Sequence, residues 1–284
     1  MKKILVPTDL TPIAELGLKL AVEIAKRADA VISLVHFTPH PVDESFSATG
    51  DVNYKVDEEA TLNTLRLLRA AKQRMEDLAS QYSVGNVMIG TSIVDNSFKA
   101  GLDEYIKNEN IDLIVMGTSG EENIQELFTG NHTEQAIMVS TCPVLSVRDG
   151  FRMEQFNNIV AAVDVIPGGE SARGLETLGL LARYFDAHIH LVHVRDVASD
   201  REPIEQEYFK QAAKIANLDN YSVTILEGHD AAERIIEFAR QVGAGLVAVL
   251  KNSGNGFHIF SNHFSDRVVK EMGRPVLTVN LHNT

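Results

Sequence analysis

The sequence predicts an α/β protein built as two tandem α/β sandwich domains, each a five-stranded parallel sheet flanked by helices. Three observations lead there. Short β-branched runs alternate with helical patterns along the chain, and such alternation builds a parallel sheet covered by helices. The pattern occurs twice: Ala14–Phe37 and Ser171–Val194 align without a gap, and nine of 24 positions are identical. Random pairing would give roughly one or two. Each copy also ends alike, in Cys142-Pro-Val-Leu-Ser-Val147 and Arg274-Pro-Val-Leu-Thr-Val279.

The identities are Gly17/Gly174, Leu18/Leu175, Ala25/Ala182, Asp29/Asp186, Ala30/Ala187, Ile32/Ile189, Leu34/Leu191, Val35/Val192 and His36/His193. The repeat divides the 284 residues into domains 1–148 and 149–284, each long enough to bury a core.

The elements follow in order. Ile4–Val6 is a buried strand halted by Pro7. Ala14–Ala28 has helical spacing, with Leu16, Leu20, Ile24 and Ala28 on one face. Val31–Phe37 is the second strand, and a Pro-, Ser- and Gly-bearing loop fills Pro39–Asn53. Glu58–Gln81 is a long helix, Val87–Ile89 a short strand and Phe98–Asn108 a helix. Ile111–Met116, apolar but for Asp112, reads as a strand buried on both faces. Thr133–Ser140 is helical, and Val144–Val147 closes the first copy. The second copy predicts strands at Ile159–Val163, Ile189–Val194, Val223–Leu226, Leu246–Leu250 and Val276–Val279. Its helices are Ser171–Phe185, Ile204–Ala216, Ala231–Val242 and Ser265–Met272.

Composition narrows the function classes. A net charge of −13 argues against nucleic acid or an anionic membrane as a partner. One cysteine, Cys142, excludes an intrachain disulfide and fits a reducing compartment. The apolar run Ile4–Val6 is too short for a signal peptide, and no run approaches the ~18 apolar residues of a membrane span. The expected location is cytoplasmic.

Parallel sheets bind ligands beyond the carboxyl ends of their strands, so the residues there carry the functional reading. Pro7-Thr8-Asp9 follows the first strand, His36-Phe37-Thr38 the second, and Gly117-Thr118-Ser119-Gly120 the fourth. Nine residues separate Gly120 from Gly130, and Asn131 opens a helix. Glycines permit close backbone approach, consecutive N–H groups form an anion nest, and a helix start adds unpaired donors. A valine at Gly117 or Gly120 would fill that approach. Ordinary uses stand beside these. A Gly-x-x-Gly can be a tight turn, Asn131-His-Thr-Glu134 is a capping box, and Asp9 can cap the first helix or order the turn at Thr11-Pro12 as readily as it can bind a ribose or base.

These residues resemble the universal stress protein family, in tandem form. That family has a first strand ending in Asp, a Gly-x-x-Gly-(nine residues)-Gly-Ser/Thr loop after the fourth strand, and a final Pro-Val-Leu strand. The resemblance spans essentially the whole chain. It implies the strand order 3-2-1-4-5 in each half, with the two final strands pairing antiparallel as a pseudo-dimer. It implies ATP or another adenine nucleotide, with or without Mg²⁺, as ligand of a stress-response sensor or regulator. Pro7, Thr8, Asp9 and Phe37 would surround adenosine; Gly117, Gly120, Gly130 and Asn131 would surround phosphate, with Met116, His132 and Thr133 adjoining. Asn131 departs from the family's Ser or Thr. Pairing of whole chains into a homodimer is left open.

The second copy keeps Asp164 and His193-Val194 but loses the glycine loop. Aligning Asp112 with Gly245 puts Leu250 and Ser253 at Gly117 and Gly120, and a one-residue slip puts Lys251 and Gly254 there. Counting back from the final proline places Asn262 at Gly130. Side chains at glycine positions obstruct backbone approach, so no nucleotide is expected in this half. No Gly-x-Ser-x-Gly elbow, His-Glu-x-x-His or Walker lysine appears. Chemistry is therefore limited to weak ATP hydrolysis at most, with no catalytic residue named. The alternative is a nucleotide-free interaction module with a vestigial loop. His188 and His190 share a strand face without a third ligand, so they read as solvent or interface histidines, and no metal site is assigned. Cys142 reads as a packed thiol.

Overall fold

The computed structural model describes residues 1–38, 45–46, 52–53, 58–118, 132–151, 156–164, 171–195, 202–251, 267–268, 271 and 273–280. Within them the first half runs β1 (Lys3–Pro7), α1 (Pro12–Ala28), β2 (Val31–Phe37), the short strands β3 (Ser45–Phe46) and β4 (Val52–Asn53), α2 (Glu58–Tyr82), β5 (Met88–Val94), α3 (Phe98–Glu109), β6 (Leu113–Gly117), α4 (His132–Val139) and β7 (Val144–Val147). The second half runs β8 (Asn158–Ala162), α5 (Ser171–Phe185), β9 (His188–Arg195), α6 (Glu202–Ile215), β10 (Tyr221–Glu227), α7 (Ala231–Gln241), β11 (Leu246–Lys251) and β12 (Val276–Asn280).

The repeat identities now have physical causes. Asp29 and Asp186 each follow a helix in the left-handed region, at φ 53° and 50°, a conformation that Asp tolerates better than most residues. Ala30 N–H then donates back to Ala25 O at 3.3 Å, and Ala187 N–H to Ala182 O at 2.9 Å. Both helices thus close in the same way, and the closure delivers the chain directly into β2 or β9. Thr11 caps the other end of α1, its hydroxyl accepting from Ala14 N–H at 3.2 Å, and Pro12 follows as a pre-organised first helical residue.

Ten strands form one sheet in the order β10-β9-β8-β11-β12-β7-β6-β1-β2-β5. Each half therefore has the expected order 3-2-1-4-5, with parallel pairing inside the half. The halves meet through β12 and β7, antiparallel: Val276 faces Ser146, Leu277 faces Leu145 and Thr278 faces Val144. The register is symmetric about Leu145 and Leu277, which occupy the same position in the repeat. Ser146 Oγ adds a bond to Val276 O at 3.2 Å. On one face of the sheet α1 packs on α5, its counterpart, and the Arg27 guanidinium lies 4.7 Å above the Phe185 ring. Equivalent elements meeting equivalent elements define the pseudo-dimer, and pairing covers the two strand edges that would otherwise invite association.

One apolar core runs along this face through both halves, from Ile4, Leu18 and Ile24 to Leu175, Leu181 and Leu277. Under α3 and α4 a second cluster holds Leu5, Val35, Leu102, Ile114 and Met116. Under α7 a third holds Val192, Ile235 and Val247.

Two strands exceed their sequence expectation by more than one residue at an end. β5 extends to Val94 rather than Ile89, and β10 starts at Tyr221 rather than Val223. Both lie at the sheet's outer edges, where a half-solvated strand accommodates Gly90-Thr91-Ser92 without an apolar run. β6 begins at Leu113, after Asp112, whose carboxylate accepts from the N–H groups of Lys2 and Lys3 and so fixes the start of β1. Most of the loop 39–53 lies outside the described residues. So do the degraded loop 252–266 and part of the helix expected at 265–272.

Candidate functional site

In the order 3-2-1-4-5 the crossovers reverse direction between β1 and β6, and a crevice at the carboxyl edge follows from that reversal. Pro7, Thr8 and Asp9 leave β1 on one side of it, and Met116, Gly117 and Thr118 leave β6 on the other.

The β1 exit is held by a dense set of bonds. Thr8 N–H donates to Val35 O at 2.8 Å, and the Thr8 hydroxyl accepts from Leu10 N–H at 3.0 Å. His36 Nδ1–H donates to Thr8 O at 2.7 Å. Leu10 sits at φ 67°, a strained conformation for a side chain branched at Cγ, which persists because the neighbouring bonds over-determine it. Asp9 is exposed, and its Oδ1 accepts from both the N–H (3.0 Å) and the hydroxyl (2.6 Å) of Thr11. Asp9 therefore orders the turn, while Thr11 is the residue that caps α1. Tyr82 braces the same helix start by donating to Glu15 Oε1 at 2.6 Å. That bond, with Lys19 at 3.2 Å, holds the Glu15 carboxyl below its ordinary range against the opposing effect of burial.

On the β6 side, Thr118 is buried and its N–H donates to Val147 O at 2.9 Å. The Met116 side chain is 5% exposed and committed to the core beneath α3. Gly117 has a packing role that its sequence context did not reveal. A Cβ there would stand 1.7 Å from Ile13 O, and a Cβ on Gly17 would stand 2.7 Å from Gly117 N. The two glycines let α1 cross directly over the end of β6. Gly120, Gly130 and Asn131 lie outside the described residues.

Phe37, the β2 residue expected near adenosine, is gripped edge-on by Phe98 (5.5 Å, 82°) and Tyr105 (6.3 Å, 84°). Gly101 makes room for it, since a Cβ there would fall 2.8 Å from Phe37 Cδ1. His132, the first residue of α4, stacks on Phe98 at 4.3 Å and 24°. Thr133 is buried behind it. Sequence reasoning passed over Phe98, Tyr105 and the bond made by His36. Only the last had a signal, in the identity of His36 and His193.

That identity is a repeated bond. His193 Nδ1–H donates to Val163 O at 3.1 Å, as His36 does to Thr8 O. Around it the second half differs. Val163 replaces Thr8 and loses the hydroxyl that receives the turn. In the register of the histidines, Arg195 replaces Thr38, and it is nearly buried between Glu227 (2.9 Å) and Glu205 (3.8 Å). An ion cluster with a half-exposed Glu227 thus occupies the carboxyl ends of β9 and β10.

His188 and His190 lie at the opposite, amino edge of the sheet. Their ring nitrogens bond to Asn220 (2.6 Å), Ser222 (3.0 and 3.2 Å) and Asn158 (3.3 Å). Burial and the neighbouring His188 hold His190 below the ordinary histidine range. Among the described residues no group of three His, Cys, Asp or Glu is placed to hold a metal. Cys142 is buried, and desolvation, with the Asp112 charge adding to it, pushes the thiol up to about 12. It stays protonated at neutral pH and is a packed thiol, as its sequence context indicated. No helix among the described residues is long and apolar enough to cross a membrane.

A parallel sheet flanked by helices, with the strand order 3-2-1-4-5 in each half, defines a class of α/β fold. Within that class the chain belongs to the universal stress protein family, whose model matches residues 1–148. A universal stress protein A homolog of Coxiella burnetii is 33% identical over 152 residues, covering 52% of this chain and 94% of its own length. A universal stress protein of Methanocaldococcus jannaschii is 29% identical over 158 residues, covering 52% and 94%. Over the whole chain, a solved universal stress protein from Archaeoglobus fulgidus superposes with a TM-score of 0.65, covering 98% of this chain and 96% of its own. At 16% identity that likeness establishes the shared fold alone.

Proposed function

We propose that residues 1–148 form a domain that binds ATP, or another adenine nucleotide, at the crevice between β1 and β6. Residues 149–284 form a second domain that carries no nucleotide. The chain then acts in the cytoplasm as a stress-response sensor or regulator, with nucleotide occupancy biasing its conformation or its choice of partner. The observation that carries this reading is the Thr8–Thr11 turn. It is held in a strained conformation by His36, Val35 and its own side chains, and it presents an exposed carboxylate beside the end of β6. Strain of this kind, maintained by surrounding bonds, is characteristic of binding loops. A carboxylate there suits ribose hydroxyls or an exocyclic amine as hydrogen-bond donors.

Restriction to one half is supported by the contrast at the carboxyl edge. The first half offers the hydroxyls of Thr8 and Thr38; the second offers Val163 and the Arg195–Glu205–Glu227 cluster. A second reading, an interaction module without nucleotide, draws on Gly117. Its lack of a side chain has a sufficient cause in the packing of α1, so the glycine alone does not require a phosphate. An enzyme reading finds no support at the crevice, where the Thr11 hydroxyl and the Asp9 carboxylate are engaged with each other and with the cap of α1.

Titration of the purified full chain with ATP separates these readings. Binding without phosphate release above the buffer rate is the expected result. Absence of binding favours the interaction module, and phosphate release favours a slow ATPase.

A further inference from the structure

The aromatic row across the carboxyl edge has a use beyond packing. Phe37 ends β2, Phe98 opens α3 just after β5, and His132 opens α4 on the chain returning from β6. Three separate exits from the sheet are therefore joined by ring contacts: Phe37 edge-on to Phe98, and Phe98 face-on to His132. The Phe37 end is fixed by Tyr105 and by the space at Gly101. At the His132 end the residue is exposed, while Thr133 and Ala136 are buried and seat α4 on the core. α4 has only eight residues. A helix that short is not stable alone, so tertiary contacts set where it begins. A 4.3 Å stack on Phe98 reaches its first residue.

We propose that Phe98 is a positioning residue for the phosphate end of the ligand, acting through His132. The stack fixes the plane of the exposed imidazole, and one of its ring N–H groups donates to a phosphate oxygen. Phe98 itself touches neither base nor ribose. The inference rests on the adenine-nucleotide reading of the crevice and adds to it the residue that positions the imidazole. The β1 turn serves the nucleoside, and the Phe98–His132 stack serves the phosphates. Such positioning matters because a binding group must be held to within roughly half an ångström by the residues behind it.

The test uses the full chain as wild type and as Phe98→Leu, Phe98→Tyr and His132→Ala. Affinities for ATP, for adenosine and for inorganic tripolyphosphate are measured by calorimetry, with melting temperatures alongside. Phe98→Leu and His132→Ala should weaken ATP and tripolyphosphate roughly tenfold, the worth of one charge-assisted hydrogen bond. Adenosine affinity should stay as in wild type, and Phe98→Tyr, which keeps the stacking face, should retain ATP affinity. Equal loss of adenosine and ATP in Phe98→Leu would overturn the proposal, because it would make Phe98 a general support or a base contact. A lower melting temperature with all affinities unchanged would also overturn it. Wild-type binding of tripolyphosphate without adenosine would remove the nucleotide reading, and the role of Phe98 would still be read from the tripolyphosphate arm. Adenosine binding as tight as ATP, with none for tripolyphosphate, would remove the proposal and leave the nucleoside site standing.

Discussion

Gly117→Ala should destabilise the fold more than alanine at any other glycine among the described residues. The new carbon would stand 1.7 Å from Ile13 O and 2.6 Å from Ile13 C. Both are backbone atoms near the start of α1, so no side chain can rotate away. Relief requires α1 to lift from β6, but Leu18, Leu20, Ala21 and Ile24 on the same helix are fully buried and resist that movement. Overpacking usually costs about 1–3 kcal/mol and sometimes more; a contact with rigid backbone belongs at the upper end. For a chain of this size that corresponds to a melting temperature lower by roughly 5 °C, measured by circular dichroism. An unchanged melting temperature would contradict the placement of α1 over the end of β6. The result also bears on ligand binding. Substitutions at Gly117 disturb the scaffold as well as any phosphate approach, so their effect on affinity does not isolate a contact.

Asp9→Ala should weaken ATP and ADP by the same factor, roughly ten- to hundredfold, because a hydrogen bond to a charged acceptor contributes about 1.5–3 kcal/mol. On the proposed reading the contact belongs to the nucleoside end, so the γ-phosphate should make no difference. Some loss of thermal stability should accompany it, since Asp9 Oδ1 receives both the N–H and the hydroxyl of Thr11. Asp9→Asn separates the two roles. The amide oxygen can take over the turn bonds, so stability should return toward wild type while the weaker, uncharged acceptor leaves affinity reduced. Isothermal calorimetry and thermal melts on both variants decide the matter. Unchanged affinity for both nucleotides would remove Asp9 from the site, and a loss confined to ATP turnover or to Mg²⁺ dependence would assign it a metal or base role instead.

The parts of this architecture that depend on neighbours in sequence were legible from the residues. Strand and helix positions followed hydrophobic period, and the internal repeat marked the two halves before any contact was known. The ends of α1 and α5 fall where the sequence places them, at Ala28 and Phe185, and the structure adds why Asp29 and Asp186 recur: each follows its helix in the left-handed region. Features set by through-space distance were not. Phe98 and His132 are far apart in sequence, and only the packing of α3 beside α4 brings their rings to 4.3 Å. The close pass of α1 over Gly117 was invisible for the same reason: a glycine in a candidate phosphate loop already had an explanation. His36 stood out as an identity, yet its chemistry stayed silent until the carbonyl of Thr8 was placed 2.7 Å from its ring. Edge strands β5 and β10 were read short because half-solvated strands carry polar residues that break an apolar run.

The central claim is a single adenine-nucleotide site in the first half. The most direct test is the stoichiometry of ATP binding to the full chain, measured by calorimetric titration. One nucleotide per chain, lost or strongly weakened in Asp9→Ala and retained when Asp164 in the second half is changed to alanine, is the predicted result. Two nucleotides per chain would contradict the loss of the second site, and no binding at all would contradict the assignment of the crevice between β1 and β6.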